Sequence, residues 1–113
     1  MSHGAIAQRF GDCIAKGDYA AACELLSKGL QASTTPQTLE QAIASMLSYT
    51  TDPIQEAVVM DEFTLEDWPG QQAGDLAVVY VALNGESYSE AVTLTLAQYG
   101  EMTLIRDLQW GRP

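Results

Sequence analysis

One arginine stands among apolar residues. Arg106 lies in the stretch from Met102 to Trp110, where strand alternation puts it in line with Leu104, Leu108 and Trp110. An unpaired cation on an apolar face is expensive, so two readings follow. Its planar guanidinium binds a carboxylate-bearing ligand, or it pairs with one of the chain's many acids or reaches for the rim. Tyr80, Thr93 and Thr95 share its face in the register built below. With Arg106, Leu108 and Trp110 they form the expected pocket lining. Hydroxyls and aromatic rings suit a hollow that bonds a few ligand groups inside an apolar wall; plain core packing is the alternative. Trp68, ahead of Pro69-Gly70, closes a pocket mouth, meets a partner or tucks back onto its own domain.

Other chemistries find few residues. The chain has one His and two Cys, and neither Cys13 nor Cys23 sits in a CxxC pair, so no zinc set can be assembled. Both cysteines fall on apolar helix stripes and read as small buried hydrophobes. Asp61, Glu62, Glu66, Asp67 and Asp75 lack the alternating spacing and terminal Glu of a calcium loop. No G-x-S-x-G, phosphate-cradling glycine loop or Cys–His pair is present. No metal or cofactor is therefore expected, and no catalytic residue can be named from these motifs.

Charge narrows the partners. The net charge is −10. Eleven carboxylates and no Lys, Arg or His lie between Lys28 and Arg106. Binding nucleic acid requires clustered cations that displace counterions from phosphate, and this chain lacks them. The same shortage argues against anionic membranes. An acidic surface suits water or a basic partner. The longest apolar run, Leu76 to Leu83, falls well short of the ~20 residues of a membrane-spanning helix. No basic stretch followed by an apolar one opens the chain, so a cytoplasmic location is expected.

The positioning elements follow from periodicity. At 113 residues a single domain, 1–113, is expected. Ile6, Phe10, Cys13 and Ile14 have helical spacing, with Gly17 suited to a left-handed cap and Asp18 to the next N-cap. A second helix carries Tyr19, Ala22, Cys23 and Leu26 and ends near Gly29. Thr35-Pro36 starts a third, with Leu39, Ala42, Ile43, Met46 and Leu47 as its stripe. After Pro53 the pattern changes to strands, at 54–65, 76–83, 86–98 and 102–110, with a loop over 66–75. Three helices followed by an antiparallel meander predict an α+β fold.

This order resembles the nuclear transport factor 2-like (cystatin-like) superfamily. The resemblance rests on Ala15-Lys16-Gly17-Asp18-Tyr19, on the Leu-containing third helix ending before Pro53, on the long hairpin strands, and on the closing strand from Gly100 to Asp107. Met102 stands there where an aromatic residue is usual. The resemblance implies three helices packed on one concave face of a bent antiparallel sheet of about four strands, forming a cone. Enzymes of this fold place Asp, His, Tyr or Arg inside the cone. The only His here is His3, in an expected loose N-terminus, so the resemblance carries no catalytic residue onto this chain.

Two turns set the register. With Asn84-Gly85 as a two-residue type I′ turn, Leu83 opposes Glu86 and Val79 opposes Glu90. With Gly100-Glu101 likewise, Tyr99 opposes Met102 and Thr95 opposes Arg106. Opposed residues share a face. Val79, Val81, Tyr88, Val92, Leu94, Leu96 and Ile105 then form a second apolar face. The helices are expected to cover the Arg106 face and leave this one for a homodimer.

Three functions remain open at this point: a small, partly apolar ligand held in the cone without catalysis; an isomerase, cyclase or dehydratase using a buried carboxylate with Tyr; or an acidic interaction or immunity-type module.

Overall fold

The computed structural model describes residues 3–111. Four α-helices, α1 (His3–Lys16), α2 (Tyr19–Cys23), α3 (Lys28–Gln31) and α4 (Pro36–Met46), precede strands β1 (Glu56–Val59), β2 (Asp75–Asn84), β3 (Ser89–Tyr99) and β4 (Met102–Trp110). The strands form one antiparallel sheet in chain order. The α+β class and the meander agree with the sequence pattern. Among the described residues, no helix is long and apolar enough to cross a membrane.

Local chemistry sets the helix ends. Gly17 adopts φ 76°, and the Asp18 and Gly17 N–H groups donate to the Cys13 and Ile14 carbonyls at 2.9 and 3.1 Å. These are the paired bonds of a glycine C-cap. Asp18 then accepts from the Ala21 N–H at 3.2 Å. Thr35 and Thr38 bond reciprocally to open α4.

The expected second helix is split in two. The Ile105 N–H donates to the Leu25 carbonyl at 2.9 Å, and the Ser27 N–H donates to the Ile105 carbonyl at 2.8 Å. Leu26 thus bridges β4 in parallel. The free edge of β4 offers unpaired backbone groups, and they win over continued helix. The Ser27 hydroxyl accepts from the Leu30 N–H and restarts the chain as α3. Four helices therefore replace the expected three. Leu39 and Ile43 are buried as expected. Leu47 is only half-buried, because α4 rests mainly on α2 and not on the sheet.

The helices cover the face opposite to the expected one. Val79, Val81, Val92, Leu94, Leu96 and Ile105 are fully buried in one core with Ile6, Phe10, Ile14, Leu26 and Leu39. Gly11 lets α1 approach closely: a Cβ there would lie 2.7 Å from Ala57 Cβ and 2.9 Å from Val81 Cγ1. The residues expected at a dimer interface are thus the hydrophobic core. No partner can reach them in the folded chain.

The hairpins explain how face membership survived a wrong register. Asn84 opposes Ser89, and Leu83 opposes Glu90 where Glu86 was expected. The slip spans an even number of residues, so every side chain keeps its face. No positive φ occurs at Asn84 or Gly85, so the turn is not type I′. The Gly85 N–H instead donates to the Tyr88 carbonyl. Tyr88 donates to the Asp52 carbonyl at 3.1 Å, packs edge-on against Tyr49, and lies so close to Gly85 that a Cβ there would overlap its ring. Ser87 donates to Asp52 at 2.8 Å. These bonds hold 85–88 as a loop.

At the other hairpin Tyr99 opposes Met102 and Ala97 opposes Leu104, as expected. A β-bulge then intervenes. Leu96 opposes Ile105, but Thr95 opposes Asp107, so Arg106 and Asp107 together face one residue. Beyond it the alternation inverts. Leu108 and Trp110 oppose Leu94 and Val92 and pack on the core, with the Trp110 ring 6.4 Å from Phe10. They do not share a face with Arg106, contrary to expectation. A second irregularity lies across β3, where Asp75 opposes Ala97 but Ala77 opposes Leu96.

The expected strand over 54–65 is interrupted. After Val59 the chain makes a 3₁₀ turn, Asp61–Phe63. It rejoins β2 at Leu65, whose N–H and carbonyl both bond Val78. The outer edge of β1 is closed by a side chain. Gln8 of α1 donates from Nε2 to the Ala57 carbonyl at 2.6 Å and accepts at Oε1 from the Val59 N–H at 3.3 Å.

Candidate functional site

The helix-free face carries a groove. Its apolar part, about 310 Å³, is lined by Phe63, Leu65, Val78, Tyr80 and Thr93. Its polar part, about 330 Å³, adds Trp68, Pro69, Gly70, Thr95, Arg106, Asp107 and Gln109. The two parts share Leu65, Val78 and Thr93 and so lie side by side. Volumes of this order suit a small-molecule site. The wall is built by the β1–β2 connection. Phe63 and Leu65, 55% and 49% exposed, are large apolar groups left partly in water, and Phe63 stands edge-on to Tyr80 at 5.6 Å.

Of the expected pocket residues, Tyr80, Thr93, Thr95 and Arg106 come together here, whereas Leu108 and Trp110 point to the opposite side. Phe63, Leu65 and Gln109 were missed. The alternation of Phe63 and Leu65 about Thr64 was the available signal, hidden by reading 54–65 as one strand.

Arg106 pairs with an acid. Its Nε donates to Asp75 Oδ1 at 2.7 Å and its Nη2 to Oδ2 at 2.8 Å. The Gln72 N–H also donates to Oδ2 at 2.8 Å. The Asp75 side chain is fully shielded from solvent, while that of Arg106 is 28% exposed. The bond from Arg106 holds the Asp75 carboxyl below its ordinary pKa, with the Gln72 N–H helping against desolvation. The same bond pushes the Arg106 pKa up. The fork is therefore an ionised, internally neutral pair.

Such a pair makes Asp75 a poor proton acceptor. Cys13 and Cys23 are free and half-buried. Desolvation raises both thiols, with Asp18 adding to the effect at Cys13, so neither is primed as a thiolate. Among the described residues no group of three or more His, Cys, Asp or Glu is placed to hold a metal ion. A wider hollow of about 560 Å³ lies at the start of α1, lined by His3, Gln8, Val58, Asp61 and Thr64 among others. His3 belongs to α1 and not to a loose terminus. The helix-covered side is filled by Phe10, Leu26, Leu39, Leu94 and Ile105, all fully buried. Comparison of the chain with protein-family models, with curated proteins and with solved structures found no match.

Proposed function

We propose that this chain is a non-catalytic binding domain whose ligand lies along the groove of the helix-free face. The carrying observation is the adjacency of an apolar hollow, bounded by Phe63, Leu65 and Tyr80, and a polar one at Thr95, Arg106 and Gln109, with Leu65, Val78 and Thr93 lining both. That gradient suits a small molecule with an apolar body and one polar end. The reading without catalysis is supported by Asp75, the best-shielded carboxylate, being held by three donors.

The element order and the Gly17-Asp18 helix break also support membership of the nuclear transport factor 2-like superfamily. The ligand site then moves from the interior of the cone to the opposite face of the sheet. The free cysteines suit a reducing cytoplasm. A homodimer formed through a sheet face would use the helix-free one, where it would compete with the ligand.

A titration with naphthalen-2-ylmethanol, followed by backbone amide NMR shifts, tests the site. Perturbations are expected at Leu65, Val78 and Thr93, and Thr93→Trp, which fills the groove, should abolish them while the protein remains folded. Shifts centred elsewhere, or binding that survives in Thr93→Trp, would sink this assignment.

A further inference from the structure

Resting on that reading, we infer that the groove selects a cationic ligand: a flat apolar body carrying a protonated amine. One of the two sequence readings of Arg106 is the reverse, a carboxylate-bearing ligand bound by its guanidinium. Two of the three guanidinium nitrogens are already committed to Asp75. A carboxylate ligand would have to displace Asp75 from a two-bond fork or sit beside it. Displacing it would leave a shielded carboxylate without its partner, which is costly.

Once this pair is neutral, the remaining formal charge in the lining is Asp107, which is exposed. Exposed Glu66 and Asp67 precede Trp68 in the wall, and no other Lys, Arg or His lies between Lys28 and Arg106. The local field therefore favours positive charge. Phe63, Trp68 and Tyr80 line the two hollows, and an aromatic ring attracts a cation over its face but not a carboxylate. Thr93, Thr95 and Gln109 add hydroxyl and amide oxygens that can accept from an ammonium group.

Three probes with one ring body separate the possibilities: naphthalen-2-ylmethylamine, naphthalen-2-ylmethanol and 2-naphthoate. Affinities would be read from Trp68 fluorescence in a Trp110→Phe background and from amide shifts. Because Asp107 is exposed, its pull is modest and screened by salt. The amine should bind about fivefold more tightly than the alcohol at low ionic strength, and the gap should close near ~0.5 M salt. The carboxylate should be the weakest of the three. Asp107→Asn should bring the ratio of amine to alcohol affinity close to one.

A carboxylate that matches or beats the amine would overturn the inference, as would an amine preference untouched by Asp107→Asn. In either case binding of the alcohol would leave the groove itself standing. Failure of all three probes to bind would remove the groove assignment along with it.

Discussion

Arg106 reaches across β3 to Asp75. The two residues lie on β4 and β2, with Ala97 and Thr95 of the intervening strand between them. The guanidinium meets the carboxylate through two nearly equal bonds of 2.7 and 2.8 Å. The β4 bulge sets Arg106 at this position, and Ala97, buried but small, leaves room for the crossing.

Breaking that pair from one side should be costly. Asp75→Ala leaves Arg106 without its counterion and the Gln72 N–H without its acceptor. A loss of about 2 kcal/mol is expected, below the range for fully buried pairs because Arg106 is partly exposed. The double variant Asp75→Leu/Arg106→Leu should recover most of it. Urea unfolding of the single and double variants measures both. A single variant as stable as the parent would show that the pair contributes nothing.

The same carboxyl predicts an acid limb. Its pKa is lowered in the folded chain, against about 3.9 when unfolded. Its contribution is thus fully present above about pH 4 and is lost as the pH falls through the depressed folded value. The stability difference between the parent and Asp75→Asn should be constant from pH 7 to 5 and shrink below pH 4. A difference that holds down to pH 2.5 would contradict this linkage.

Gly11 and Gly29 should respond oppositely to alanine. Alanine favours a helix by about 1 kcal/mol over glycine, and nothing lies within 4 Å of a Cβ at Gly29. Gly29→Ala should therefore be neutral or slightly stabilising. At Gly11 the new methyl meets Ala57 and Val81, so a loss of about 1–3 kcal/mol is expected in spite of the helix preference. Thermal melts of the two variants decide the matter.

Glutamate substitutions distinguish the two sheet faces. Leu94→Glu places a carboxylate in the packed core and should prevent folding, with a penalty above about 4 kcal/mol. Val78→Glu lies on the half-buried groove face and should leave a cooperative fold while blocking the probes. Circular dichroism reads both. A folded Leu94→Glu protein would refute the helix-covered assignment.

Gln8 predicts a link between one side chain and self-association. Gln8→Ala frees the Ala57 carbonyl and the Val59 N–H on the β1 edge. A loss of about 1–2 kcal/mol is expected, with concentration-dependent association through the opened edge. Sedimentation velocity at increasing concentration checks this; a profile unchanged from that of the parent would mean that the edge is protected by other means.

Much of this architecture can be read from the residues. Helix caps at Gly17-Asp18 and Thr35-Pro36 depend on neighbours in the chain, and sequence displays neighbours. Strand faces depend on parity, which survived the four-residue loop at 85–88. The split at Leu26 was not legible, because it arises from an edge nearly eighty residues away at Ile105. Nor was the bulge at Arg106, since no glycine or proline marks it and its effect is to invert the residues that follow. Alternation put Tyr80, Thr93, Thr95 and Arg106 on one face, and the structure has them lining adjoining hollows there. Which side the helices take was hidden, because both faces carry apolar residues in sequence and Leu108 and Trp110, placed in line with Arg106, are turned to the other face by the bulge.

The β4 bulge also fixes the chain's tolerance to insertion and deletion. Removing the single residue Arg106 would give a regular ladder between β3 and β4, with Asp107 alone facing Thr95. Leu108 and Trp110 would keep their places opposite Leu94 and Val92, and the loss would fall on the pair with Asp75. Removing one residue where the ladder is regular would instead turn the side chains that follow to the other face. The irregularity thus acts as slack in the last strand, the place where a change of one residue in length can be taken up without moving the inward set.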